Sequence, residues 1–167
     1  CWIYPGQHGP LDVVHGIQNS CNVFFSEMGH RLSMDENGNY SPELGIEKIR
    51  KYASMFGLDE TSGIEIAERE PQMTTEKPEA SSIGQGKNSY SNIQLSRYIT
   101  AVANKGTVFK LSLLDKMTDS QGNLLKDFTP EIRSTIDVKD STWNAVHTGM
   151  RRVISDGSAR KIFSDLE

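Results

Sequence analysis

The chain has 167 residues, a formal net charge of −4 and a hydrophobic share of 36%. That share is below the usual value for a self-contained domain, so a modest core is expected, completed in part by something else. No basic stripe is present, which argues against a nucleic-acid partner, and no apolar run approaches the roughly 20 residues of a membrane span. The chain opens at Cys1 without an initiator Met or a signal-peptide pattern and is read as an internal stretch of a larger protein.

Residues 1–10, rich in Gly, Pro and aromatics, predict an ordered loop. Asp12 offers an N-cap for a short helix through Val13, Val14 and Ile17, and the Asn19-Ser20-Cys21-Asn22 segment interrupts it. Phe24, Phe25, Met28 and Leu32 follow at helical spacing. After a polar turn at 35–40, Ser41 can cap and Pro42 can start a helix whose face carries Ile46, Ile49, Ala53 and Phe56, with Gly57 just beyond its end. Thr61 to Ile66 reads as a brief strand, and residues 68–82, with Pro71 and Pro78, as loop. Ser91 and Gln94 form a capping box for a helix with Leu95, Ile99 and Val102 on its apolar side and Gly106 as its stop. Alternation at Phe109, Leu111, Leu113 and Met117 predicts a strand, with a turn at Asp119–Asn123, a return over Leu124–Phe128 and a further strand over Ile132–Ile136. Asp140 or Ser141 is expected to cap a last helix bearing Trp143, Val146, Met150, Val153 and Ile154 and ending at Gly157.

The chemistry-bearing element is Ser20-Cys21-Asn22, between two predicted helices. On an extended loop, alternate side chains point the same way, so Ser20 and Asn22 can face one cleft while Cys21 does not. A hydroxyl both donates and accepts, which suits proton relay, and a carboxamide can donate to a substrate carbonyl while accepting from a backbone N–H. An S-x-N element of this kind stands beside S-x-x-K and K-T-G in serine acyl-transfer enzymes. Taken alone the tripeptide reads first as a helix-joining turn in which Asn22 is a cap.

The surroundings are more specific. The stretch from His8 to Phe25, the string Ser82-Ile83-Gly84-Gln85-Gly86, the run Tyr90-Ser91-Asn92-Ile93-Gln94-Leu95-Ser96, and Ala101-Val102-Ala103-Asn104-Lys105-Gly106-Thr107 together resemble the class B penicillin-binding proteins, in family order and over nearly the whole chain. Phe56-Gly57-Leu58 with Thr61, Gly63 and Ile64 is similar as well. The resemblance implies a helix-rich α+β piece of the transpeptidase fold that lacks most of the main sheet, read as one partial domain over 1–167 with a small β-hairpin near 107–136. It implies a peptidoglycan D,D-transpeptidase, in which a serine attacks the D-Ala-D-Ala end of a stem peptide and passes the acyl group to an amine on another strand; β-lactam antibiotics acylate the same serine. Ser20 would then be the proton-relaying hydroxyl and Asn22 the contact to the substrate amide, with no role for Cys21. The parent protein would be anchored in the bacterial cytoplasmic membrane with this domain on the outer face.

Only 19 residues precede Ser20 and none supplies S-x-x-K, so the chain alone is expected to be inactive. Two strings imitate the missing motifs. Ser158-Ala159-Arg160-Lys161 fits S-x-x-K but follows S-x-N instead of preceding it, and His147-Thr148-Gly149 mimics K-T-G inside a helical pattern. Both are expected to be incidental. His8 and His15 could ligate a metal with Cys1 or Cys21, but the spacing is irregular; no cofactor and no metal site is expected. A non-catalytic helical binding module or a β-lactam sensor of the same fold remains the alternative. Apolar surface where the main sheet belongs could also let the piece self-associate.

Overall fold

The structure is a computed structural model and describes residues 8–164. The loop predicted over residues 1–10 therefore lies mostly outside the described residues. The element order is α1 (Val13–Gln18), α2 (Asn22–Leu32), α3 (Pro42–Met55), α4 (Pro78–Ser81), α5 (Asn92–Ala103), β1 (Thr107–Lys110), β2 (Lys116–Thr118), β3 (Leu124–Asp127), β4 (Glu131–Thr135) and α6 (Asp140–Ser155). The fold is helix-rich α+β, and its strands form two small antiparallel sheets, β1 with β4 and β2 with β3. Two compact units divide the chain: residues up to 49 with 74–87 and from 138 onward, and residues 50–73 with 88–137.

In the first unit, α1 starts as its sequence predicts, with the Asp12 carboxylate accepting from the His15 backbone N–H. Close packing here depends on glycine. Gly29 of α2 faces Pro78 and Glu79 of α4 so tightly that a Cβ would sit 2.6 Å from the Pro78 carbonyl oxygen. Gly45 of α3 lies against Ser33 and Pro78 in the same way. Buried Ser33 donates to the Gly29 carbonyl at 2.9 Å. These contacts explain α4, which falls where the sequence pattern predicts loop: Pro78 is pre-set for a helix start, and its burial holds the short turn in place. The last helix packs on α1, where Gly149 meets Ile17. Its N-cap is Lys139 without a side-chain bond, and Asp140 is the first helical residue, not the cap. An acidic residue in the first turn suits the helix dipole.

In the second unit the capping box of α5 forms as read: Ser91 accepts from the Gln94 N–H and Gln94 accepts from the Ser91 N–H. Its buried face is only partly the one expected: Val102 is buried as predicted. Leu95 and Ile99 are 41% and 48% exposed, while Gln94 and Arg97 are buried together with Ala101 and Val102. Arg97 donates to the carbonyls of Gly57, Thr61 (3.1 Å) and Glu60 (3.3 Å). Glu68 accepts from the Ser62 N–H at 2.7 Å. The carbonyls of Gly57, Glu60 and Thr61 and the Ser62 N–H are thus taken by side chains, and the strand expected over Thr61–Ile66 is an irregular loop wrapped on Arg97. The strand expected from Phe109 to Met117 breaks for a related reason. The Leu111 N–H goes to the Ser62 carbonyl, and Ser112 and the Leu113 N–H go to Glu65. The chain leaves β1 at Lys110, and β2 pairs instead with β3 across a turn in which the Asp119 carboxylate accepts from the N–H groups of Gln121 and Asn123. The sheet β1–β4 has a bulge between Val108 and Phe109, and Val108 is fully buried.

Candidate active site

Ser20, Cys21 and Asn22 join α1 to α2. The Ser20 N–H donates to the Ile17 carbonyl at 2.9 Å and the Cys21 N–H to the Gly16 carbonyl at 3.0 Å, so the joint folds back on the end of α1. Ser20 has φ of +48°, in the left-handed region that a non-glycine residue seldom adopts. Cys21 is extended, forms the N-cap of α2 without a side-chain bond, and is 4% exposed. Ser20 and Asn22 are both exposed, on either side of a buried residue. The segment is not the extended loop on which alternation was expected: Ser20 is left-handed, and Asn22 opens α2 as its first helical residue and is not its cap. Cys21 has a structural use that the sequence reading did not give it. Its burial anchors the joint so that its two neighbours face outward.

The site is held from two sides. On α2, Phe24 lies against Gly16, where a Cβ would come within 2.6 Å of the ring, so α1 and α2 meet closely at the joint. On α6, Gly149 would place a Cβ 2.9 Å from that of Ile17, and Gly157 would place one 2.2 Å from the Gln18 carbonyl oxygen. The Ser158 N–H donates to that carbonyl at 3.2 Å. The Ser20 and Ser158 hydroxyl oxygens lie 3.0 Å apart. On the flank, the His15 ring contacts the Asp12 carboxylate at 2.7 Å through Nδ1 and Arg152 of α6 at 3.3 Å through Nε2. Hydrogen bonds from the backbone and ring of His15 hold the Asp12 carboxyl below its ordinary pKa. The His15 ring thus bridges a carboxylate on its own helix and a guanidinium of α6. This is a structural strap between α1 and α6.

From Asn22 a shallow groove runs along α2, lined by Val23, Ser26, Glu27 and His30 and by Glu79 and Ile83. Ile83 belongs to the Ser82–Gly86 string, whose glycines Gly84 and Gly86 both have positive φ, as its tight turn requires. At the far end His30 stacks on Tyr40 with centroids 5.0 Å apart, and both contact Glu79. Burial of the Glu79 carboxyl opposes its ionisation. Hydrogen bonds from its own backbone, Tyr40 and His30 outweigh that effect and hold its pKa below the ordinary 4.5.

The two imitating strings are resolved by geometry. His147, Thr148 and Gly149 lie inside α6, where Gly149 meets α1, and not on a cleft-lining strand. Ser158 to Lys161 form a turn, not the helix start on which a nucleophile and its lysine could lie one turn apart. Ser158 nevertheless reaches Ser20, a proximity between residues 138 positions apart that no local pattern could signal.

The profile of the penicillin-binding protein transpeptidase domain matches residues 2–164. Penicillin-binding protein 2A of Bacillus subtilis is 27% identical over 90% of this chain and 23% of its own length. Peptidoglycan D,D-transpeptidase MrdA of Escherichia coli is 25% identical over 94% of this chain and 25% of its own length. Among solved structures, penicillin-binding protein 2B of Streptococcus pneumoniae superposes with a TM-score of 0.77 at 20% identity, over 94% of this chain and 28% of that one. The chain thus spans about a quarter of the length of the curated relatives it matches. No helix among the described residues is long and apolar enough to cross a membrane. With the family profile covering nearly all of the sequence and the helical side of the same fold present, the chain belongs to the penicillin-binding protein transpeptidase family, with the class B proteins.

Proposed function

We propose that this chain is the S-x-N region of a peptidoglycan D,D-transpeptidase, in which Ser20 relays a proton and Asn22 holds the substrate amide. The observation that carries this reading is the joint itself. Cys21 is buried, Ser20 and Asn22 are exposed beside it, and α1 and α6 buttress the joint from behind. The Ser20 hydroxyl can take a proton on one lone pair while releasing its own, so a proton crosses the cleft without a histidine. The Asn22 carboxamide can donate to a stem-peptide carbonyl. Its position at the start of α2 adds the positive end of a helix dipole beside that carbonyl.

In this reading the nucleophilic serine and the K-T-G strand lie elsewhere in the whole protein, and the 167-residue chain forms no acyl-enzyme by itself. The whole protein is anchored in the cytoplasmic membrane with this domain on the outer face. Its ligands are stem peptides ending in D-Ala-D-Ala and the β-lactams that imitate them. MrdA is named as a peptidoglycan D,D-transpeptidase, and the penicillin-binding names of the other relatives support the same assignment.

Intact-mass spectrometry after incubation with penicillin tests this reading on the 167-residue chain and on the whole protein. An adduct on the whole protein alone supports it. Replacing Ser20 by Ala in the whole protein should then slow adduct formation by about a hundredfold or more, the usual range for loss of a proton-transfer group, and replacing Asn22 by Ala should slow it through loss of the substrate-amide contact. No adduct on either form would point to a non-catalytic binding module, and an adduct on the short chain would mean that a serine within it is the nucleophile.

A further inference from the structure

Ser158 is the residue of the α6 end that the proposed chemistry leaves unused, yet it is set more firmly than an ordinary turn serine. Gly157 brings the backbone against Gln18, at a distance where any side chain would meet the Gln18 carbonyl oxygen. The Ser158 N–H donates to that same carbonyl at 3.2 Å, and the Ala159 N–H returns to the Val153 carbonyl at 3.0 Å. Two backbone bonds on either side of the Ser158 side chain thus fix its Cα between the end of α1 and the end of α6. Its hydroxyl then lies 3.0 Å from that of Ser20. Ser20 in turn is held in a left-handed backbone conformation that a free turn would abandon.

We propose that Ser158 is a positioning residue for the Ser20 hydroxyl, fixing by one hydroxyl–hydroxyl bond the direction in which Ser20 presents its proton and its lone pair. A serine hydroxyl rotates freely about its Cβ–Oγ bond, so an exposed relay group spends much of its time facing the wrong way. When Ser158 donates to Ser20, the Ser20 O–H is left to point into the cleft. When Ser158 accepts, a Ser20 lone pair is left there instead. Neither arrangement moves a proton onto Ser158 for good, and neither brings Ser158 to the substrate. The inference rests on the transpeptidase reading, because it presupposes that Ser20 relays a proton.

The test is penicillin acylation of the whole protein, followed by mass at a series of penicillin concentrations to separate the saturating rate from the half-saturating concentration. Ser158→Ala should lower the saturating rate about tenfold, leave the half-saturating concentration unchanged and leave the thermal midpoint unchanged. Ser158→Thr, which keeps the hydroxyl, should restore the rate. In a Ser20→Ala background, adding Ser158→Ala should change nothing further, since the bond is already gone. A wild-type rate in Ser158→Ala overturns the proposal, as does a rate loss that Ser158→Thr does not rescue, or one that multiplies with that of Ser20→Ala. Failure of the wild-type protein to acylate overturns the transpeptidase reading itself and the proposal with it, an outcome distinct from all of these.

Discussion

Ser20, Lys77 and Lys105 are the non-glycine residues with positive φ among the described residues, and Ser20 is the one that sits in the proposed site. A left-handed serine is strained by about 1 kcal/mol relative to glycine. The position therefore gives up stability to keep a hydroxyl, as functional sites commonly do. Ser20→Gly is expected to match or exceed the wild-type thermal midpoint in calorimetry while acylating penicillin as poorly as Ser20→Ala; a clear drop in midpoint would show that the hydroxyl is there for stability. Part of this site was legible in the sequence. The place of Ser20 and Asn22 at the joint between two helices followed from the sequence, and both are exposed beside a buried Cys21. The left-handed backbone was not legible, because serine carries no such preference, and the Ser158 contact joins opposite ends of the chain. The only local pattern on Ser158, an imitation of S-x-x-K, pointed to the wrong chemistry.

Helices show where pattern reading succeeds and where it fails. Most end signals hold: Asp12, Ser91 with Gln94, Pro42 and the left-handed Gly57 fall where capping chemistry puts them, whereas α6 takes Lys139 as its N-cap instead of Asp140 or Ser141. Val102 of α5 is buried as its periodicity predicts, but Leu95 and Ile99 are not, because Gln94 and Arg97 take core positions and a periodicity argument cannot see a buried arginine that feeds three backbone carbonyls. Arg97, with its side chain 2% exposed, should tolerate no apolar replacement. Arg97→Met leaves those carbonyls unpaired and is expected to destabilise by about 3 kcal/mol in denaturant unfolding. The contact of α1 with α6 is tested by Gly149→Ala. Alanine favours a helix by about 1 kcal/mol over glycine, but a Cβ 2.9 Å from that of Ile17 forces the helices apart. A net loss of about 1 kcal/mol is expected, and a gain in midpoint would mean that the two helices pack loosely. Between α2 and α4, Glu79 has a pKa depressed by its bonds, so it contributes stability above its ordinary value of 4.5 and loses it as the pH falls through the lowered one. Glu79→Gln should therefore narrow its stability deficit as the pH is taken below about 4.5, and a deficit independent of pH would show that ionisation of Glu79 is irrelevant.

At the scale of the molecule, apolar side chains are left outside. In the first unit Met150, Ile154, Ile162 and Phe163 are exposed around the end of α6, and Val13, Val23 and Met28 are exposed on α1 and α2. In the second unit Leu95 and Ile99 form an exposed stripe on α5, and the β2–β3 hairpin exposes Met117, Leu124 and Leu125. Scattered surface apolars are ordinary, but residues such as Met150 and Ile154, one helical turn apart on a helix whose buried side already faces α1, form a second face. The modest hydrophobic share of the sequence had suggested a core completed elsewhere. In the proposed reading the main sheet of the transpeptidase domain supplies the cover, built from parts of the whole protein beyond this chain. The isolated 167-residue chain is then expected to bind a hydrophobic dye and to self-associate in a concentration-dependent way by sedimentation, while the whole protein does neither to the same extent. Replacing Met150 and Ile154 together by Lys should abolish association of the short chain and destabilise the whole protein, because the same positions are solvent-facing in the first and buried in the second. If the short chain stays monomeric at high concentration and binds no dye, these side chains are ordinary surface. The helical side of the fold would then complete its core without the sheet.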